Sequence, residues 1–264
     1  MPRKTPTPLR LFEPWTLRPD QQRIADMPER RKFLCCGRRW GKTTFGQQTC
    51  LSRALDGQIA MFASHVWDTA KRAMRDCEER VGSEWKSNAS ESFLRSPAGG
   101  YVYFRAGTQL ENLRGFGLDY LALDEAAYIP PHVWKVVLLP ALLERRGAAV
   151  AMSQPPDFPC WFTDIVAAYE KAPKDAIFSN VVAMRCPTVA NPLISNDELQ
   201  MLKRDMGLEA FRRECLCCFR GQPLTPDDRM SLTFSWAPYG FFSAPERDDS
   251  ALGELERLRR RLPK

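Results

Sequence analysis

The segment from Lys32 to Leu55, KFLCCGRRWGKTTFGQQTCLSRAL, constrains this chain more than any other. Lys32 to Cys36 is a short run, apolar after its first residue, that leads straight into a loop holding Gly37 and Gly41. Thr43 to Leu55 then carries helix-compatible residues with no proline. Strand, glycine loop and helix in that order predict a crossover unit, with the strand buried in a sheet and the helix returning across one face. The alternation continues downstream. Gln58 to Ser64 reads as a second strand, with Ser64 as the N-cap of a charged helix reaching about Val81. SFLRSPAGGYVYFRAG reads as a hairpin around Pro97 to Gly100, and LDYLALDEAA as a buried strand ending in two carboxylates. Pro131 to Gly147 reads as a helix despite Pro140, followed by a strand (Ala148 to Ser153), a helix (Trp161 to Lys171) and a strand (Ala176 to Met184). Upstream, Leu17 to Met27 reads as a short polar-faced helix. Apolar strands alternating with helices predict an α/β fold with a mostly parallel central sheet covered on both faces.

The 264 residues suffice for one substantial core. Residues 1–16 read as a proline-punctuated arm and 17–221 as the main domain. Residues 222–264 read as a linker or extension ending in a basic amphipathic helix, with Leu252, Leu255, Leu258 and Leu262 near helical spacing among arginines. The formal charge of +6, from 38 basic and 32 acidic residues, permits a polyanionic partner without identifying one. Nine cysteines are scattered or adjacent rather than spaced as a disulfide framework, and ECLCCF lacks a second cluster at zinc-ligand spacing, so reduced thiols are expected. No apolar run approaches the length that spans a bilayer, and no membrane partner is expected.

The loop has a definite chemistry. A phosphate-binding loop needs converging backbone amides, a glycine where a side chain would collide, a lysine for the terminal phosphates and a hydroxyl for magnesium. Gly41, Lys42 and Thr43 supply the last three, with Thr44 following. The pattern G-x-x-x-x-G-K-[ST] places its leading glycine at Cys36, whereas the actual glycine is Gly37. Alone, the motif is equally compatible with a plain strand-to-helix turn. LALDEAA adds what that turn would lack: Asp124 at the end of an apolar strand, suited to hold magnesium through water, and Glu125 beside it, suited to polarise a water for attack on a γ-phosphate. Arginines for the developing charge are at hand in Arg38 and Arg39 within the loop and in Arg114 ahead of the acidic strand; Arg39 and Trp40 can equally pack on the sheet edge.

These residues together resemble the ATPase domain of the large terminase subunit, the motor that packs double-stranded DNA into the proheads of tailed phages. CGRRWGKTT is similar to that family's variant Walker A loop, with Arg38 four before Lys42; LRGFGLDYLALDEAA is the most specific match. AVAMSQPP resembles its coupling motif, which implies a relay role for Ser153, although Gln154 stands where threonine is usual. ANPLISNDELQMLKRDMGLEAFRRECLCCF resembles the end of the ATPase domain, and LRPDQQRI occupies the place of its adenine-contacting glutamine, implying Gln21 rather than Gln22. The resemblance implies a P-loop NTPase of the ASCE, RecA-like type that binds ATP through Gln21 and residues Cys36, Gly37, Arg38, Arg39, Trp40, Gly41, Lys42, Thr43 and Thr44. It implies Mg2+ on Thr43 and Asp124, catalysis by Glu125, Lys42, Arg38 and Arg114, and Arg114 as a finger between subunits of a homo-oligomeric ring. Implied partners are double-stranded DNA, the portal protein and the small terminase subunit, in the cytoplasm of an infected bacterium and transiently at the portal vertex. The family's nuclease domain would not fit in the roughly forty residues after Gly221, so the nuclease is expected on another chain or beyond a truncation. The residues themselves leave open a helicase-like or remodelling ATPase and a nucleotide switch without turnover.

Overall fold

The computed structural model describes residues 17–113 and 115–219. Helix α1 (Pro19–Asp26) precedes strand β1 (Arg31–Cys36), and the glycine loop then leads into α2 (Lys42–Leu55). There follow β2 (Ile59–Ser64), α3 (Trp67–Glu78), and the short strands β3 (Lys86–Asn88) and β4 (Phe93–Arg95). After β5 (Tyr101–Ala106), β6 (Tyr120–Asp124), α4 (Leu139–Leu143), β7 (Ala148–Ser153) and α5 (Trp161–Lys171) come β8 (Val181–Cys186), α6 (Asn196–Met206) and α7 (Leu208–Glu214).

The strands form one eight-stranded sheet in the order β3-β4-β5-β2-β6-β7-β1-β8. From β5 to β8 every pairing is parallel, and the antiparallel β3 and β4 extend one edge. Strands β1, β2, β6 and β7 are buried almost throughout, as expected of parallel strands covered on both faces. The two faces are told apart by their contacts. A Cβ added to Gly46 of α2 would meet Met152, Phe62 and Ala122, so α2 lies close on the face that presents those residues. Phe33 points the other way. Its ring packs edge-on against Trp134 and Trp161 (5.7 and 6.3 Å between centroids), and Trp134 stacks on Trp161 at 5.3 Å. This cluster pins α5 and the turn before α4 to the opposite face, and Phe33→Ala would cost about 3–5 kcal/mol.

Three local readings need correction or refinement. Ser64 is not an N-cap: it is the last residue of β2 and fully buried, while α3 starts at Trp67 behind Val66, with no side-chain cap. The strand expected from Ala176 starts only at Val181 and reaches Cys186; Asp175 accepts the Ile177 N–H and winds Ala176–Phe178 into a 3-10 turn first. The helix expected across Pro140 is a wide π turn, Val133–Leu138, that passes into α4. There the Leu139 N–H reaches back to Trp134 O, and Pro140 falls in the first turn of α4, where its missing donor costs little. The segment after Asn191 forms two helices, α6 and α7, divided at Gly207 with φ +77°. The polar edge strand β3 has no apolar alternation to betray it. The predicted hairpin is present as β4 and β5, closed by Ser96 N–H on Gly100 O at its neck.

Candidate functional site

The site forms where the parallel strands end. β1 delivers the glycine loop, β6 delivers Asp124 and Glu125, and β7, lying between those two strands, delivers Ser153. Gly41 sits at φ +96°, a conformation side chains rarely adopt, and that turn starts α2 with Lys42 as its first residue. Lys42 Nζ then lies 3.0 Å from Glu125 Oε1, and Thr43 Oγ1 donates to Asp124 Oδ2 at 2.7 Å. The Glu125 N–H donates to Asp124 Oδ1 at 3.1 Å, and Ser153 Oγ to Glu125 Oε2 at 3.4 Å. Lys42, Thr43, Asp124, Glu125 and Ser153 therefore form one connected polar network. Glu125 itself is left-handed, φ +55°, an unfavourable state for a residue with a side chain that turns its carboxylate back over the loop.

The electrostatics follow from burial. Asp124 is 1% exposed, and burial raises its carboxyl to about 6 although the Lys42 ammonium pulls it down. For Lys42, burial works to lower the pKa, and the Asp124 and Glu125 carboxylates outweigh it, so the ammonium stands above the ordinary lysine value. A hydroxyl and a buried carboxylate oxygen in direct contact are hard oxygen donors of the kind magnesium takes, and a carboxylate that is costly to ionise gains from a nearby cation. The residues present thus fit a magnesium ion at Thr43 and Asp124.

The remaining expected residues divide. Cys36 is fully buried, and burial pushes its thiol well above the usual range, leaving an uncharged packing group at the leading position of the loop. Gly37 is confined by packing rather than by φ: a Cβ there would lie 2.6 Å from both Cys215 O and Thr188 Oγ1. Trp40 faces the core at 1% exposure, edge-on to Phe45 at 5.9 Å, beneath the Arg18 guanidinium. Its carbonyl accepts from Arg18 Nη1 at 2.8 Å and Gln21 Nε2 at 3.5 Å, so Gln21 lies under the loop, while the exposed Gln22 bonds Asp26 on its own helix. Thr44 and Arg39 are exposed. Arg38 pairs with Glu214: its Nε meets Glu214 Oε2 at 2.8 Å, with the side chain 55% exposed. Arg114 lies outside the described residues.

Sequence reasoning did not assign roles to the residues that hold the loop from outside. Thr188 Oγ1 donates to Arg38 O and Asn191 Nδ2 to Arg39 O, both at 2.7 Å, and the Arg38 N–H donates to Glu214 O at 2.7 Å. Asn191 and Glu214 belong to the one stretch that resembles the end of the ATPase domain, but nothing local in it points back to a loop so distant in sequence.

No family model matches the chain. A stretch of 45 residues is 49% identical to the large terminase subunits of Thermus phage G20c and Thermus virus P23-45, covering 17% of this chain and only 9% of those proteins. Among solved structures, the large terminase ATPase domain of Thermus phage P74-26 superposes with a TM-score of 0.63 at 20% identity, over 75% of this chain and 92% of that one. The large terminase of another thermophilic bacteriophage, in complex with ADP, superposes with a TM-score of 0.60 at 14% identity, over 76% of this chain and 53% of that one. For the HK97 bacteriophage large terminase the TM-score is 0.56 at 11% identity, over 77% and 50%. The chain therefore has the fold of the large-terminase ATPase domain, an α/β P-loop fold with its polar network at the end of the loop strand.

Proposed function

We propose that this chain is the ATP-hydrolysing motor domain of a viral terminase that moves double-stranded DNA into a prohead. The observation that carries the reading is the joining of Lys42, Thr43, Asp124 and Glu125 in one network at the loop, with Glu125 held in a left-handed conformation. The likenesses to the two thermophilic-phage terminases support it, one of them having been solved with ADP and with ATP-gamma-S.

In this reading Lys42 neutralises charge on the terminal phosphates and Glu125 takes the proton of the attacking water. Magnesium on Thr43 and, through water, Asp124 supplies charge neutralisation at the phosphates when bound. Lys42 pairs with Glu125. Phosphates that claim the ammonium release the carboxylate, so substrate capture and exposure of the base are one event. Ser153, bonded to Glu125, is placed to relay the state of that carboxylate into β7. The net charge of +6 suits sequence-indifferent contact with DNA phosphates. The portal and small terminase proteins, a ring of like subunits, a nuclease carried elsewhere and action in the infected cell's cytoplasm complete the proposal.

The test is steady-state ATP hydrolysis with Mg2+, duplex DNA and proheads. Wild type turns over, and Glu125→Gln loses about 100-fold or more with nucleotide binding retained. Equal inactivity of both proteins would overturn the hydrolytic assignment.

A further inference from the structure

Ser64 closes β2 and is fully buried, and its hydroxyl oxygen has no hydrogen-bond partner among the described residues. Its neighbours explain why. On one side β5 pairs it with Ala106, which offers no polar side chain; on the other, β6 pairs it in register with Asp124. Residues in register on parallel strands share a face, and side chains two apart along a strand return to it. Phe62 and Ala122 both meet the Cβ position of Gly46, which places Ser64 and Asp124 on the α2 side of the sheet at its loop end. Asp124 confirms that side, because Oδ2 accepts from Thr43 on α2. Its other oxygen accepts the Glu125 N–H.

A hydroxyl buried without a partner is destabilising, and an alanine would fill the same strand position without that cost. A polar group left unsatisfied beside a network in which the other members are paired is the mark of a position shaped for a ligand. We propose that Ser64 is a positioning residue for the metal: its hydroxyl orders the water through which Asp124 holds magnesium, on the side of Asp124 away from Ser153. This rests on the nucleotide site proposed above and adds a residue to it. Ligands of metal ions are commonly fixed by such outer hydrogen bonds, and removing one weakens metal binding about tenfold or more.

The experiment compares the chain with Ser64→Ala by three measurements: Mn2+ titration of the protein bound to a fluorescent ATP analogue, affinity for that analogue in EDTA, and thermal melting free of metal and nucleotide. The expected result is an Mn2+ affinity about tenfold weaker in Ser64→Ala, with affinity in EDTA unchanged and melting at or above that of wild type. Equal Mn2+ affinity in the two proteins overturns the inference and leaves the nucleotide site standing. A variant that melts lower and also loses affinity in EDTA assigns the hydroxyl a structural role and overturns it as well. Wild type that binds the analogue equally with and without Mn2+ overturns the metal site itself, and this inference with it.

Discussion

Asp124 is ionised at neutral pH at a cost that can be measured by removing its charge. Its carboxyl titrates at about 6 in the folded chain against 3.8 when exposed, because it is buried. At about 1.4 kcal/mol per tenfold, that difference corresponds to roughly 3 kcal/mol of lost stability once the group is ionised. The folded state binds the proton more tightly than the unfolded state, so the penalty is absent below about pH 4, grows between pH 4 and 6, and is complete above. Asp124→Asn keeps the shape and can still accept from Thr43 without carrying the charge. In the absence of metal and nucleotide it is expected to melt above wild type at pH 7.5, by several degrees at about 2–4 °C per kcal/mol for a domain of this size. The gap should close as the pH falls toward 4. With Mg2+ and nucleotide the order reverses, because wild type gains ligand binding energy that Asp124→Asn forgoes. Melting curves of both proteins across this pH range decide the matter. If Asp124→Asn melts at or below wild type at pH 7.5, or if the gap is independent of pH, Asp124 is not a carboxylate held ionised against its burial.

Gly37→Ala sets a Cβ against Cys215 O and Thr188, and should cost about 1–3 kcal/mol in urea unfolding together with nucleotide affinity; a neutral effect would show that the outer segment yields easily. Glu214→Gln releases Arg38, whose exposed pairing contributes little to stability, so melting should move by less than about 1 kcal/mol. The freed guanidinium should lower the KM for ATP, whereas a higher KM would mean that Glu214 serves to order the loop. Glu170→Gln takes the carboxylate from the buried Arg185, which it binds at 2.6 and 2.7 Å. Denaturant titration should register a loss of about 3 kcal/mol or more, and a loss below about 1 kcal/mol would refute the reasoning.

Much of the fold was legible because the parallel strands are buried on both faces and read as unbroken apolar runs: β1, β2, β6 and β7 lie within a residue or two of where the sequence places them. The loop lysine, the threonine and the paired carboxylates were legible for another reason, since phosphate chemistry requires those groups next to glycine and at a strand end. What escaped was set by distant contacts. The family resemblance points Arg38 toward the phosphates, and its pairing with Glu214 is a contact that only the folded chain brings about. Ser64 was read as a cap because serine before a helix commonly is one; its burial depends on β5 and β6 pairing on either side. Gly37 looked like a displaced motif glycine, and its constraint comes from the segment around Thr188 and Cys215.

The position of β1 bears on how the domain comes into being during synthesis. β1 pairs with β7 and β8, and Arg31 stands opposite Ala149 and Val181. The outer carbonyls of the loop wait for Thr188 and Asn191. A ribosome adding about 5–20 residues per second exposes the loop sequence well before either flanking strand or either strap exists. A nascent fragment ending before β8 therefore leaves one edge of β1 unpaired and the outer side of the loop without its straps. The loop is encoded early in the chain, and the segments that hold it from outside are among the last of the described residues to be made.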